Sequence, residues 1–209
     1  MLDAWMRRRI DTPLDRLGRS LAAAGLRANQ VTLLGFIAGV AAVPLLAVEA
    51  YWPALVLILL NRLADGLDGA IARNTQTTDL GGYLDIVCDF LVYSGVVFGF
   101  ALARPEANAL PAAFLILSFV GTGSSFLAYA VVATKRGVTT KIRGHKSFYY
   151  LGGLTEGTET FALFVLLCLF PDAFPWLAWM FGGLCWITTA FRILAAVRAF
   201  GEQLGGSRS

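Results

Sequence analysis

Charge is scarce in this sequence. Asp, Glu, Lys and Arg make up 15% of its 209 residues, where a soluble domain carries about 25%. Hydrophobic residues make up 57% and the mean hydropathy is +0.66. One water-soluble core could not hide that much apolar surface, so a soluble domain is excluded and an integral membrane protein is expected. Histidine occurs once and cysteine three times. Cys88, Cys168 and Cys185 sit within apolar segments, with neither metal-site spacing nor loop positions suited to disulfides. They read as packing residues, and His145 reads as a loop residue. Internal repeats, low-complexity segments and any sign of a nucleic-acid partner are lacking too. The opening "MLDAWMRRRIDTPLDRLGRSLAAAGLRANQ" has no short apolar core before a small-residue cleavage site, so it does not read as a cleaved signal peptide.

What is there instead is a series of apolar runs. A spanning helix needs about 20 mainly apolar residues, and six candidates meet or approach that length: 31–48, 52–72, 81–103, 110–133, 149–170 and 174–200. The fold class expected is all-α, an integral membrane bundle of six transmembrane helices. Ahead of it, residues 1–29 read as a cytoplasmic amphipathic juxtamembrane helix whose apolar side carries Trp5, Met6, Ile10, Leu14 and Leu17; a disordered basic tail is the alternative. Residues 30–209 form the membrane domain. Lys and Arg concentrate in the N-terminal segment, in the loops after the second and fourth candidates and at the C-terminal end, with only Arg104 in an opposite-side connection. The positive-inside rule then places both termini in the cytoplasm, with Trp52, Trp176 and Trp179 near the other face. Gly121 and Ser125 have the small-xxx-small spacing of close helix packing, either within one bundle or across a homodimer.

Charge reappears where it costs most. "DGLDGAIARNTQTTDLGGYLDIVCD", residues 65–89, holds five aspartates between apolar runs. The second candidate helix begins apolar and turns polar at Asn61, Arg62, Asp65 and Asp68; the third is polar first, at Asp85 and Asp89. Consecutive and antiparallel, the two bring their polar halves side by side. At ~1.5 Å per residue, Asp65 lies ~12 Å from Arg73 and Asp85 ~6 Å from Gly81, so four carboxylates converge at one depth. Asp65 and Asp68 are i,i+3 neighbours, and Asp85 and Asp89 are i,i+4. Desolvating so many carboxylates costs several kcal/mol each. Hard divalent cations offset that best, Mg2+ or Mn2+ rather than Zn2+, because no His or Cys is placed to help. Two ions per site would neutralise four aspartates and leave positions for phosphate oxygens, the arrangement used for in-line displacement at phosphorus. Gly66 and Gly69 would clear a helix face for a bulky ligand, and Arg73 offers a fork suited to diphosphate. Asp79 reads as an N-cap or first-turn acid of the next helix. The rival structural reading pairs the acids with Arg62, Arg73 and Arg192.

Written as D-x2-D-G-x2-A-R-x7-G-x3-D-x3-D, the stretch runs Asp65, Asp68, Gly69, Ala72, Arg73, Gly81, Asp85, Asp89. It resembles the signature of the CDP-alcohol phosphatidyltransferase family, membrane enzymes of phospholipid synthesis, whose six-helix layout with cytoplasmic termini is similar to the one read above. "HKSFYYLGGLTEGTET" resembles a bacterial inner-membrane subgroup of unassigned acceptor. The resemblance implies that Asp65, Asp68 and Asp85 hold two divalent metals and that Asp89 completes the second site and acts as general base. It further implies that Gly69 and Arg73 contact the CDP group, with Thr78 assisting. "ANQVT" is similar to the family's Pro-Asn-x-x-Thr and would bring Asn29 and Thr32 to the nucleotide, although Ala28 stands here in place of the proline.

The reaction so implied moves a phosphatidyl group from CDP-diacylglycerol to a small alcohol, with release of CMP. Two acceptor classes fit the sequence. Lys135, Arg136, Lys141, Arg143 and Lys146 suit topology and anionic lipid or a phosphate-bearing acceptor anchored by Arg143 and Lys146. Glu156 and Glu159 suit an ion pair with Arg192 or an acceptor amine, to which "SFYY" could offer aromatic faces. The alternatives are transfer of a CDP-linked polar alcohol onto a lipid hydroxyl and, in another class, a divalent-cation transporter.

Overall fold

The computed structural model describes residues 2–136 and 154–201, without side chains for 2–11. The described chain is all-helical: α1 (Leu2–Ala23), α2 (Ala28–Ala47), α3 (Tyr51–Asn74), α4 (Asp79–Ala103), α5 (Pro105–Lys135), α6 (Gly157–Leu169) and α7 (Phe174–Gly201), with a 3-10 turn at Pro171–Ala173. Local chemistry sets the boundaries. Gly25, at φ +87°, ends α1 in a left-handed turn, with Gly25 N–H donating to Ala22 and Leu26 N–H to Leu21, the closing pattern of a Schellman motif. The Thr78 hydroxyl accepts the Gly81 N–H at 3.0 Å and starts α4, with Asp79 in the first turn as expected. Pro105 opens α5, where its missing N–H costs nothing.

Among the described residues, four segments are long and apolar enough to cross a membrane: α2, α4, α5 and Pro171–Gly201. The helix expected over 52–72 forms as α3, but Arg62, Asp65 and Asp68 interrupt its apolar run. The one expected over 149–170 differs more. Leu154–Glu156 are not helical and α6 starts only at Gly157, giving a shorter apolar helix of 13 residues. The basic-loop residues Lys141, Arg143, His145 and Lys146, and all of "SFYY", lie outside the described residues.

α2 packs against both α3 and α4, α5 against α7, and α1 along α3. The α2–α3 approach depends on Gly35, where a Cβ would stand 2.6 Å from that of Ala64. The core is sorted along the bundle axis. Leu46, Ile58, Val96, Phe100, Leu115, Leu167 and Phe174 are buried in its apolar part. There Phe100 stacks between Tyr51 and Phe174, centroids 5.6 and 5.0 Å away. The polar halves of α3 and α4 meet at the other end, beside their connecting turn. Leu33, Leu34, Leu59, Leu117 and Ile187 point outward, as expected of helices facing lipid. Gly121 packs against Trp186 and Thr189 of α7, which accounts for its small-residue spacing within one chain. Cys168 and Cys185 are buried, as expected of packing residues.

Candidate active site

The polar halves of α3 and α4 enclose a cleft with one wall from α2. Thr32, Gly35, Phe36, Asn61, Asp65, Asp68, Asp85, Cys88 and Asp89 line it, around a space of ≈ 10 Å³. That is room for about one water or one small ion. Within it Asp65, Asp68 and Asp85 each direct a carboxylate oxygen to a common point, the three atoms lying within 4.8 Å of one another. Ligands of one hard cation, at about 2.0–2.6 Å from it, have that mutual spacing. Two helices supply the trio because α3 and α4 are antiparallel across a four-residue connection, which sets Asp65 and Asp68 level with Asp85. Asp89, one turn further along α4, faces the same cleft outside this close trio.

Asp68, Asp65 and Asp89 are each braced by a neighbouring side chain, and of these partners only Arg62 was legible in the sequence. The Thr32 hydroxyl lies 2.5 Å from Asp68 Oδ2 and 3.1 Å from the Ala28 carbonyl. With one proton to give, it serves the nearer, charged acceptor. Asp68 is buried, so this hydroxyl replaces some of the hydration it loses. Arg62 bonds Asp65 one turn along α3; that much of the ion-pair reading holds. The Tyr93 hydroxyl donates to Asp89 Oδ2 at 3.2 Å, its ring edge-on to Phe164 at 5.8 Å. The Asn61 amide donates to the Gly35 carbonyl at 3.0 Å, tying α2 to α3 where the cleft begins.

The predicted nucleotide contacts divide. Asn29 and Thr32 do approach the α3–α4 end: a Cβ on Gly81 would lie 3.1 Å from Asn29 Oδ1. Thr32, however, is turned to the carboxylates, and Thr78 is occupied as the N-cap of α4. Gly69 leaves room for the Arg73 guanidinium, whose Nη1 would be 3.3 Å from an added Cβ. Gly66 does not clear a ligand face; Leu14 of α1 covers it, 3.1 Å from where a Cβ would stand. Arg73 donates to Asp15 of α1 rather than to the intramembrane acids. Cys88 lines the cleft, although it reads in the sequence only as packing.

Among the acceptor candidates, Arg143 and Lys146 lie outside the described residues. Arg136 is engaged elsewhere, donating to the Phe200 carbonyl at 3.2 Å and lying over the Phe200 ring. The glutamates are not a pair on a helix surface. Glu156 is the N-cap of α6 and its N–H donates to Glu159 Oε2 at 3.2 Å. Glu-Gly-Thr-Glu thus closes as a capping box, although Glu156 is not one of the Ser, Thr, Asp or Asn residues that mark such a box in a sequence. Arg192 donates to the Thr122 carbonyl at 2.9 Å.

Known proteins resemble this chain over part or most of its length. It is 56% identical to the inner membrane protein YnjF of Escherichia coli K12, over 92% of this chain and 94% of that one. The archaetidylinositol phosphate synthase of Pyrococcus horikoshii is 34% identical over 46% of this chain and 52% of its own. The crystal structure of Mycobacterium tuberculosis phosphatidylinositol phosphate synthase (PgsA1), which has CDP-DAG bound, superposes with a TM-score of 0.60 at 21% identity, covering 88% of this chain and 93% of that one; it shares the fold. The sequence model of CDP-alcohol phosphatidyltransferases matches residues 26–196. The chain therefore belongs to the CDP-alcohol phosphatidyltransferase family of enzymes.

Proposed function

We propose that this enzyme transfers the phosphatidyl group of CDP-diacylglycerol to a small phosphate-bearing alcohol, of which inositol phosphate is the leading candidate. The observation that carries the reading is the convergence of Asp65, Asp68 and Asp85 on one ion-sized space, with Asp89 beside it. Such a donor set of oxygens alone fits Mg2+ or Mn2+, and Asp65, Asp68, Asp85 and Asp89 would hold two ions. When bound, these ions supply positive charge against the diphosphate and the charge that develops on phosphoryl transfer.

The protein's own groups do the rest. Asp89, with one oxygen held by Tyr93, accepts the proton of the acceptor hydroxyl through the other. The freed oxygen forms a bond to the β-phosphorus, the one bearing diacylglycerol. The bond from that phosphorus to the bridging oxygen breaks, and CMP leaves with the bridging oxygen. Gly69 and Arg73 would line the diphosphate, with Asn29 and Thr78 at the same end and Thr32 bracing Asp68. Acyl chains would lie along the outward apolar faces, with the headgroup at the α3–α4 end.

Two observations favour a phosphate on the acceptor. Glu159 is engaged in capping α6, which leaves it less suited to reading an amine, and relatives bear the names of inositol phosphate-type synthases. Arg143 and Lys146 would anchor that phosphate. The accompanying topology is six spans, α2 to α7, in the bacterial inner membrane. Residues 1–29 would form an amphipathic cytoplasmic segment ahead of a membrane domain at 30–209, with both termini in the cytoplasm. The one-sided distribution of Lys and Arg and the inner-membrane name of the YnjF relative support this.

The test offers CDP-diacylglycerol to the purified protein with Mg2+ or Mn2+ and a panel of alcohols: inositol phosphate, glycerol 3-phosphate, serine, ethanolamine and inositol. CMP release and product masses are read, with EDTA as the control. CMP and a phosphatidyl-polyol phosphate are expected, and neither with EDTA or in Asp89→Asn. Release of CMP from CDP-ethanolamine or CDP-choline with a lipid alcohol, and none from CDP-diacylglycerol, would overturn the reading.

A further inference from the structure

The family model matches from residue 26 onward, so α1 lies ahead of the matched region, yet α1 reaches the α3–α4 end. Asp15 Oδ1 accepts from Arg73 Nη2 at 2.8 Å and from Nε at 3.3 Å. The side chains are 39% and 50% exposed respectively, a setting in which an ion pair adds little to stability. What the pair does supply is orientation. An arginine near a helix end sweeps a wide volume unless held, and ordering it when ligand binds costs conformational entropy. Here the Nε–Nη2 edge is held by Asp15, while Nη1 turns towards the space left by Gly69, 3.3 Å from where a Cβ would be.

Asp15 is itself held in place. Leu14 packs over Gly66, and Gly18 sits so close to α3 that a Cβ there would stand 2.7 Å from Ala70 Cβ and 2.9 Å from its carbonyl carbon. These contacts, one residue before Asp15 and three after, seat α1 on α3 at the level of Arg73. We propose that Asp15 is a positioning residue for the donor substrate: it pre-orients Arg73 towards the diphosphate and makes α1 part of the CDP-lipid site. The proposal rests on the reading of Arg73 as a diphosphate contact.

The experiment measures equilibrium binding of radiolabelled CDP-diacylglycerol to the full chain in lipid nanodiscs with Mn2+. Arg73→Ala should weaken binding about tenfold or more, as loss of a charge-assisted contact does. Asp15→Asn should weaken it about threefold to tenfold, and Asp15→Glu, which keeps the carboxylate, should stay close to wild type. Gly18→Ala alters neither partner but pushes α1 from α3, and should reproduce the Asp15→Asn loss. In the Arg73→Ala background Asp15→Asn should have no further effect, because nothing is left to position. Wild-type or tighter binding by Asp15→Asn, with Arg73→Ala impaired, overturns the proposal. So does an undiminished Asp15→Asn loss in the Arg73→Ala background, the mark of a purely structural role. An Arg73→Ala variant that binds normally instead overturns the diphosphate reading on which the proposal rests.

Discussion

At the scale of single residues, the site is a set of acids whose cost is met by neighbours that the sequence does not advertise. The four aspartates could be read from spacing alone, because i,i+3 and i,i+4 repeats on adjacent antiparallel helices leave little freedom. Of their braces, only Arg62 could. Thr32 lies 36 positions from Asp68, and an ordinary threonine in an apolar helix carries no mark of such a contact. Thr32→Val keeps the shape and removes the donor. It should raise the Mn2+ concentration for half-maximal CMP release about tenfold, as lost outer contacts to metal ligands do. Tyr93 acts in the same way on Asp89. Tyr93→Phe leaves the ring packed beside Phe119 and Phe164, so protein yield and melting temperature should hold. Its kcat should fall about tenfold with little change in KM for CDP-diacylglycerol, as expected of a group acting mainly in the chemical step.

At the scale of elements, α3 and α4 are each half apolar and half polar, and that asymmetry is what makes them a site. It was legible, since charge in a spanning segment is expensive and marks function. The α2 contribution was less so. α2 reads as a featureless apolar helix, yet Gly35 lets it approach α3 closely enough to bring Thr32 to Asp68. An alanine in a helix gains about 1 kcal/mol over glycine, while overpacking a tight contact costs about 1–3 kcal/mol. The Gly35 Cβ would meet the Ala64 methyl at 2.6 Å. Ala64 has no rotamer to escape into, so the helices must part and overpacking should win. Gly35→Ala is expected to lower the unfolding temperature in detergent and to raise the Mn2+ requirement together. A variant as stable as wild type would show that the approach is slack. The start of α6 is not legible for a definite reason: apolar continuity hides the break at Leu154–Glu156, so the capping-box glutamates look like two intramembrane acids in the sequence.

At the scale of the whole molecule, the bundle has a reactive end and a fastened end. The fastening is Arg104, the basic residue expected to be alone on its side. It donates to Glu49 at 2.7 Å and bonds Asp172 as well, joining the α2–α3 and α4–α5 connections to the turn before α7. Arg104 holds the Glu49 carboxyl below its ordinary value of 4.5, mainly by hydrogen bonding. A carboxyl so lowered stabilises the fold above its unfolded pKa and loses that contribution as pH falls through the folded value. The melting-temperature gap between wild type and Glu49→Gln should therefore be present at neutral pH and close as the pH falls from 4.5 through the lowered folded value. An unchanged gap in acid would show that the pair is not what the substitution removes. The sequence by itself determined that the chain is helical and lipid-facing, and that four aspartates meet on two neighbouring helices, because periodicity and the cost of buried charge act locally along the chain. Only the tertiary structure decided which hydroxyl braces which carboxylate, that α1 reaches Arg73, and that α2 walls the cleft. Those contacts join residues far apart in sequence, through helix packing whose closeness is set by single methyl groups.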